Sequence, residues 1–458
     1  MVNSIPEQLL HSLENLPGFN RDRFLQAHGE GQQVYSIRLN PAKREADTEL
    51  PLNGRVPWCS EGYYLSTRPA FIFDPLLHAG VYYVQEASSM FLEQAIRQTT
   101  NLDQSLRVLD LCAAPGGKST LLQSIISSDS LLVSNEVIKS RASILEENLV
   151  KWGAANTVVT NNDAAQLARL PGFFDIIVAD APCSGSGLFR KDPDAISEWS
   201  EGNVNLCSQR QQRILSDIWP ALKPGGLLVY STCSYSQQEN EDMLDWLAND
   251  FGAMPVPLST EPSWGIVSTS SPIAGLPGYR FYPDKVKGEG FFMAVVKKPD
   301  GYAEDFSKAP KKNSLKTERA IETLAAPWID PNAGLTCFLQ GDDVLAFPRS
   351  LLTALQWVQS ACYLRKAGIN VGRPAGKELI PHHELALSTQ HHPSVPTLAL
   401  SKGEALQYLR RDEMQMNIKT TGWQLVTYKE HSLGWIKALP RRINNYYPKE
   451  WRILKQLA

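Results

Sequence analysis

Five apolar runs alternating with segments of helical period constrain the fold of this 458-residue chain more than any other feature. The runs are "SLRVLDLCA", "SLLVSNEV", "NTVVTNND", "FFDIIVADAPCS" and "KPGGLLVYSTCS". Among them lie "GGKSTLLQSIISS", "SRASILEENLVKWG" and a helical pattern around residues 204–220, and "ENEDMLDWLAND" follows the last. A run that is apolar throughout, not at every second residue, belongs to a strand buried on both faces. Such strands joined by helices make a parallel sheet covered on each side. The expected class is α/β, with a Rossmann-like core over residues 91–298 that ends in the late strand "EGFFMAVVKK".

The length exceeds that of one ordinary domain. Residues 1–90 read as a small α+β N-terminal domain. In it "SIPEQLLHSLENL" is a helix with Ser4 as its cap, and "QQVYSIRLNPAK" and "GYYLS" are short strands. Residues 299–316 are polar and lysine-rich and read as a linker, and residues 317–458 form a third region of mixed strands and short helices. The chain is 43% hydrophobic and 20% charged, which fits a soluble globular protein and excludes a disordered one. The N-terminus has no signal-peptide pattern, and no apolar run reaches the roughly 18 residues of a membrane helix. Seven scattered cysteines without a C-x-x-C pair argue against a zinc ribbon or a disulfide framework. Reduced thiols in a cytoplasmic monomer without bound metal are expected. The net charge of −3 hides a basic tail. In residues 431–458 Lys437, Arg441, Arg442, Lys449, Arg452 and Lys455 face only Glu450, and such a stripe can follow a phosphate backbone.

"LDLCAAPGGKST" looks at first like a phosphate loop, because Gly117, Lys118 and Ser119 fit its tail. The position of the loop's first glycine is Cys112, which weakens a nucleotide triphosphatase reading. Strand, glycine turn and helix still bring backbone donors to the carboxyl edge of the first strand. Asp110, Glu136, Asp163 and Asp180 end four successive strands at that edge. They would repel a triphosphate. They suit a nucleoside carrying a cationic sulfonium, as in S-adenosylmethionine: Glu136 for the ribose hydroxyls and Asp163 for the adenine amino group.

Two cysteines reach the same edge, Cys183 in "DAPCSGSG" and Cys233 in "YSTCSYSQQENE". A thiolate beside a methyl donor suits methylation of a pyrimidine at carbon 5. Addition of the thiolate to carbon 6 makes carbon 5 nucleophilic, and a base then removes the carbon-5 proton so that the thiol can leave. Asp180 is placed to meet the ring, and Lys118 to lower the pKa of a nearby thiol. The chemistry alone does not divide the roles of the two cysteines.

The stretches quoted so far, with "VQEASSM" (84–90), "FRKDPDA", "GEGFFMAVVKK", "GRPAGKELIPHHELALS" (372–388) and "NNYYPKEWR" (444–452), resemble the Sun-type RNA cytosine-C5 methyltransferases, especially their RsmF-type ribosomal RNA branch. The resemblance implies a Rossmann-like S-adenosylmethionine-dependent core and a PUA-like C-terminal RNA-binding region. It implies that Cys112, Ala113, Ala114, Pro115, Gly116, Gly117 and Lys118 line the methionine part of the cofactor. Glu136, Arg141, Asp163 and Asp180 complete that site. It makes Cys233 the nucleophile and Cys183 the group that assists product release. The chain departs from its relatives at Asp284, where many carry histidine. The implied partner is small-subunit (16S) ribosomal RNA or the small subunit itself. Alternatives are the same reaction on transfer RNA and a non-catalytic RNA-binding assembly factor.

Phe189, Arg190 and Lys191, in the loop after Cys183, are candidates for stacking or phosphate contact. Trp435, Tyr446, Tyr447 and Trp451 interleave with the basic tail, as RNA-stacking residues do, though aromatics in a small β domain also serve as core. Adjacent His382 and His383 have poor spacing for zinc and read as structural or RNA-contacting.

Overall fold

The computed structural model describes residues 4–29, 33–43, 48–310, 315, 317–414 and 420–455. The five apolar runs form five parallel strands: β1 (Arg107–Asp110), β2 (Leu131–Asn135), β3 (Thr157–Thr160), β4 (Phe174–Asp180) and β5 (Leu222–Thr232). They lie in the order β3-β2-β1-β4-β5. Neighbouring residues along each strand point to opposite faces, and both faces are buried. Leu109, Val133, Ile177 and Leu228 enter one apolar cluster, and Val108, Leu132, Val178 and Val229 enter another. Helices α1 (Gly117–Ile125), α2 (Lys139–Trp152), α3 (Glu201–Ile218) and α4 (Glu241–Phe251) connect or follow these strands. Helix α2 stops at Gly153, whose φ of +88° and 2.6 Å gap between a built Cβ and the Leu387 carbonyl require glycine.

Beyond β5 the sheet continues with β6 (Val267–Ser270), β7 (Pro277–Phe281) and β8 (Phe291–Lys297), in the order β6-β7-β8-β5. Strand β8 runs antiparallel to β5, so the sheet is mixed at this end. At the other end β3 is covered by β9 (Leu364–Ala367), a strand that comes from the third region of the chain. Residues 317–458 therefore do not form one separate unit. They hold two further four-stranded sheets and also complete the central one. The expected linker overlaps residues 311–314 and 316, which lie outside the described residues. Within it Phe306 packs edge-on against Phe173 and Trp357, at 5.0 and 5.2 Å between ring centroids.

The N-terminal domain has helices at Glu7–Leu13 and Arg21–Gly29 and a four-stranded antiparallel sheet. The first helix starts behind Pro6 and has no side-chain cap, so Ser4 does not fill that role. Proline's fixed φ already suits the first helical turn. Ile37, Leu65 and Leu76 of this domain share a core with Tyr408, Val426 and Ile436 of the C-terminal region. Lys43 Nζ donates to the carbonyls of Ala79, Lys151 and Leu387, each at 2.7 Å, and so ties three parts of the chain together. Burial pushes its pKa down to about 7.

Behind the end of β5, Arg280 and Glu241 form a buried ion pair, with Arg280 Nε donating to Glu241 Oε1 at 2.6 Å and Nη1 to the Tyr235 carbonyl at 2.7 Å. Glu241→Ala would leave the guanidinium buried without its carboxylate, which costs about 3–5 kcal/mol. Urea unfolding is expected to register a loss of that size, and a loss under about 1 kcal/mol would count against the pair as a stabilising element.

Candidate active site

The carboxyl ends of β1 and β4 flank the point where strand order reverses, and in open α/β sheets this crevice takes the ligand. The loop after β1 forms its floor. Leu111 N–H donates to the Val178 carbonyl and Ala113 N–H to that of Asn135, at 2.9 and 2.8 Å. Arg141 Nη2 holds the Ala114 carbonyl and Asn148 Nδ2 that of Pro115, both at 2.9 Å. Gly116, at φ +118°, makes the turn into α1, whose first backbone N–H groups face the crevice end of the sheet. Burial, then the charges of Asp180 and Asp110, pushes the Cys112 thiol well above its usual range.

The four acids differ in their surroundings. Asp110 is fully buried; one oxygen accepts from Ser119 Oγ at 2.7 Å, and the other has no hydrogen-bond partner among the described residues. Burial pushes its carboxyl up from 3.8 to about 7, against the pull of that hydrogen bond and of Lys118. The folded chain thus holds this proton more tightly than the unfolded chain. Its contribution to stability is full below pH 3.8 and is lost as pH rises through about 7. Asp110→Asn is expected to flatten that decline in urea unfolding across this window; an unchanged slope would contradict the shift.

Glu136 is buried, accepts from the Ile138 N–H at 2.9 Å and faces Arg141 Nη1 at 3.6 Å. Val137 and Ile138, directly after it, are exposed apolar side chains. Asp163 caps the short helix Ala164–Leu167 and lies 3.6 Å from Arg213. One of its oxygens is therefore committed to the cap. Beside it, the Asn162 side-chain amide donates Nδ2–H to the Tyr363 carbonyl and accepts the Tyr363 N–H at Oδ1, at 2.9 and 3.0 Å, just before β9. Asp180 accepts from Ser231 Oγ and from Lys118 Nζ, both at 2.8 Å.

The strand ends of β4 and β5 bring Cys183 Sγ and Cys233 Sγ to 3.1 Å. The hydrogen bond to Cys233, then burial, pushes the Cys183 thiol well above its usual range. Burial would lower the pKa of Lys118, but the Asp180 carboxylate at 2.8 Å and other nearby negative groups outweigh it and raise it. Gly187 closes the loop from below, donating its N–H to the Cys233 carbonyl at 2.8 Å. A Cβ there would lie 2.3 Å from the Gly290 carbonyl, so only glycine fits. Between the two cysteine loops sits Glu239, a fully buried carboxylate that accepts from Ser184 N and Oγ and from Ser234 Oγ. Sequence reasoning did not single it out, because an acid at a helix start usually faces water.

Residues 98–297 match the family "16S rRNA methyltransferase RsmB/F", residues 5–87 the N-terminal domain of 16S rRNA methyltransferase RsmF, and residues 395–453 the methyltransferase RsmF PUA domain. The ribosomal RNA small subunit methyltransferase F of Aeromonas salmonicida is 31% identical over 437 residues, covering 91% of this chain and 90% of that relative. The chain belongs to the RsmB/F family of 16S rRNA methyltransferases. The protein of that name from Salmonella arizonae is 32% identical over 442 residues, covering 91% of this chain and 89% of its own length. A methyltransferase homologue of known structure from Pyrococcus horikoshii is 28% identical with a TM-score of 0.50, and covers 64% of this chain and 100% of that one.

In this RsmB/F methyltransferase the side chains expected to meet RNA divide into two groups. Phe189 is buried against Leu9, Leu13, Trp199 and Tyr282, so it is not free to stack. Arg190 is also largely buried; it lies 3.8 Å from Glu289 and donates to the Gly288 carbonyl at 3.2 Å. Lys191 is exposed. Asp284 is nearly buried beside Lys285, and burial raises its carboxyl. In the PUA domain Trp435 and Tyr447 are core. Trp451 packs on His383, with ring centroids 5.1 Å apart. His382 caps the helix His383–Leu387, and His383 is buried against Tyr447. Tyr446 remains accessible. It meets the Trp423 ring edge-on, with centroids 4.4 Å apart, and Lys437 Nζ lies 5.2 Å from the Trp423 ring.

Proposed function

We propose that this methyltransferase makes 5-methylcytosine in 16S ribosomal RNA through a covalent bond between Cys233 and carbon 6 of the base. The observation that carries this reading is the pair of thiols in contact beside the Lys118–Asp180 ion pair. S-adenosylmethionine, when bound, supplies the methyl group that carbon 5 takes up. The residues fit such a group: a glycine turn at a helix start, a buried acid with one unmatched oxygen at Asp110, and Glu136 followed by exposed Val137 and Ile138. Cys112 to Lys118 would line its methionine part. Glu136, with Arg141 behind it, would take the ribose, and Asp163 the adenine.

Cys233, as the thiolate, adds to carbon 6, and Cys183 stays protonated beside it because two adjacent sulfurs do not both carry charge easily. Once Cys233 is bonded to carbon its negative charge is gone. Cys183 can then give up its proton to solvent and take the one on carbon 5, and Cys233 leaves with the pair of electrons of its S–C bond. Asp180, steadied by Lys118 and Ser231, meets the ring nitrogen and exocyclic amine of the target. The RsmF-type N-terminal and PUA domains support ribosomal RNA over transfer RNA as the substrate.

Methyl transfer from labelled S-adenosylmethionine to separate pools of 16S rRNA, small subunits and transfer RNA tests this. Label in 5-methylcytosine of a ribosomal pool is expected. Label confined to transfer RNA would overturn the substrate, and label at any other atom the mechanism.

A further inference from the structure

Cys183 and Cys233 come from two different loops with no covalent link between them, yet their sulfurs are in contact. We propose that Glu239 is the positioning residue that sets this approach, one carboxylate gripping both thiol-bearing loops. The inference rests on the two-thiol reading above and adds a residue to it.

Ser184, the neighbour of Cys183, donates its N–H to Glu239 Oε1 at 2.7 Å and its hydroxyl to Oε2 at 2.6 Å. Ser234, the neighbour of Cys233, donates its hydroxyl to the same Oε2 at 2.5 Å. Gln211 of α3 reaches Oε1 at 3.5 Å and holds the Pro182 carbonyl at 3.0 Å with the same amide. The Glu239 carbonyl is fixed in turn by Tyr230 Oη at 2.5 Å. The side chain is 0% exposed, and no cation pairs with it among the described residues. A buried carboxylate is costly to keep, and well-packed apolar residues stabilise such a place at least as well. What the carboxylate alone provides is several acceptor sites at one point, which hold the residues next to both sulfurs in one register. The proton exchange proposed between Cys183 and Cys233 needs that register.

The test is Glu239→Gln in the full chain, assayed with 16S rRNA and S-adenosylmethionine. The amide keeps the size, but one acceptor becomes a donor, so either the Ser184 N–H at Oε1 or the two serine hydroxyls at Oε2 lose their acceptor. A misplacement of reacting groups by about 1 Å costs on the order of 100-fold in rate, so kcat is expected to fall by about that factor with KM for both substrates unchanged. The fraction of chain trapped on RNA in denaturing gels is expected to rise toward that of Cys183→Ala. Wild-type kcat, or a kcat reduced only in proportion to the unfolded fraction with no added adduct, would overturn the proposal. Ser234→Ala removes one donor while leaving the carboxylate, and gives the same two readouts should the glutamine variant not fold. Absence of adduct in Cys183→Ala itself would count against the two-thiol reading, and the kcat-against-KM split would still judge Glu239.

Discussion

Cys233→Ala is expected to abolish methyl transfer, by a factor on the order of 10⁴ or more, because an activated nucleophile acts as a unit with its partners and nothing nearby replaces it. Binding of S-adenosylmethionine, followed by calorimetry, should survive. The thiol lies at the end of β5, whereas the glycine turn after β1 is held by β4, β2 and α2 through the bonds of Leu111, Ala113, Arg141 and Asn148. A variant that still methylates at an appreciable rate would remove Cys233 from the nucleophile's role. The sulfur that remains, Cys183, would then be the one to examine, since it is already in contact with the same position.

Cys183→Ala should behave differently. Addition to carbon 6 and methyl uptake remain available to Cys233, but the carbon-5 proton has lost its acceptor. The expected result is close to one turnover, followed by a chain that stays bonded to its RNA. On a denaturing gel it should run as a slow band whose intensity matches the methyl label incorporated. Free turnover without such a band would assign proton removal to another group. Asp180, held 2.8 Å from Lys118 and from Ser231, would be the first acid to substitute.

The central fold was readable because its strands are buried on both faces, which writes them into the chain as unbroken apolar runs. Strand β9 was not readable. Its four residues include Arg365 and Lys366, which look like surface. In the fold Lys366 is buried against Glu384, and Arg365 pairs with Glu146 of α2 at 2.9 Å. Distant pairing of this kind leaves no local periodicity. The same holds for Phe189, whose neighbours Leu9 and Leu13 lie far back in the N-terminal helix. In the candidate site the meeting of the two cysteines at one sheet edge, beside Asp180, was legible from strand-end position alone. Glu239 was not, because its burial depends on two loops closing over it from opposite directions. The division of the tail aromatics into core (Trp435, Tyr447) and surface (Tyr446) likewise depends on which face of the sheet covers which.

Strand β9 also has a bearing on how the chain is made. The ribosome releases the segment from β1 to β8 well before β9 emerges, so the nascent catalytic sheet has an open edge at β3 until the C-terminal region follows. An unpaired edge of buried, apolar sequence is a site for wrong pairing with another chain. Completion of the catalytic half is therefore a late event in synthesis, and a messenger that ends before residue 364 would yield a product with the two cysteines present and that edge exposed.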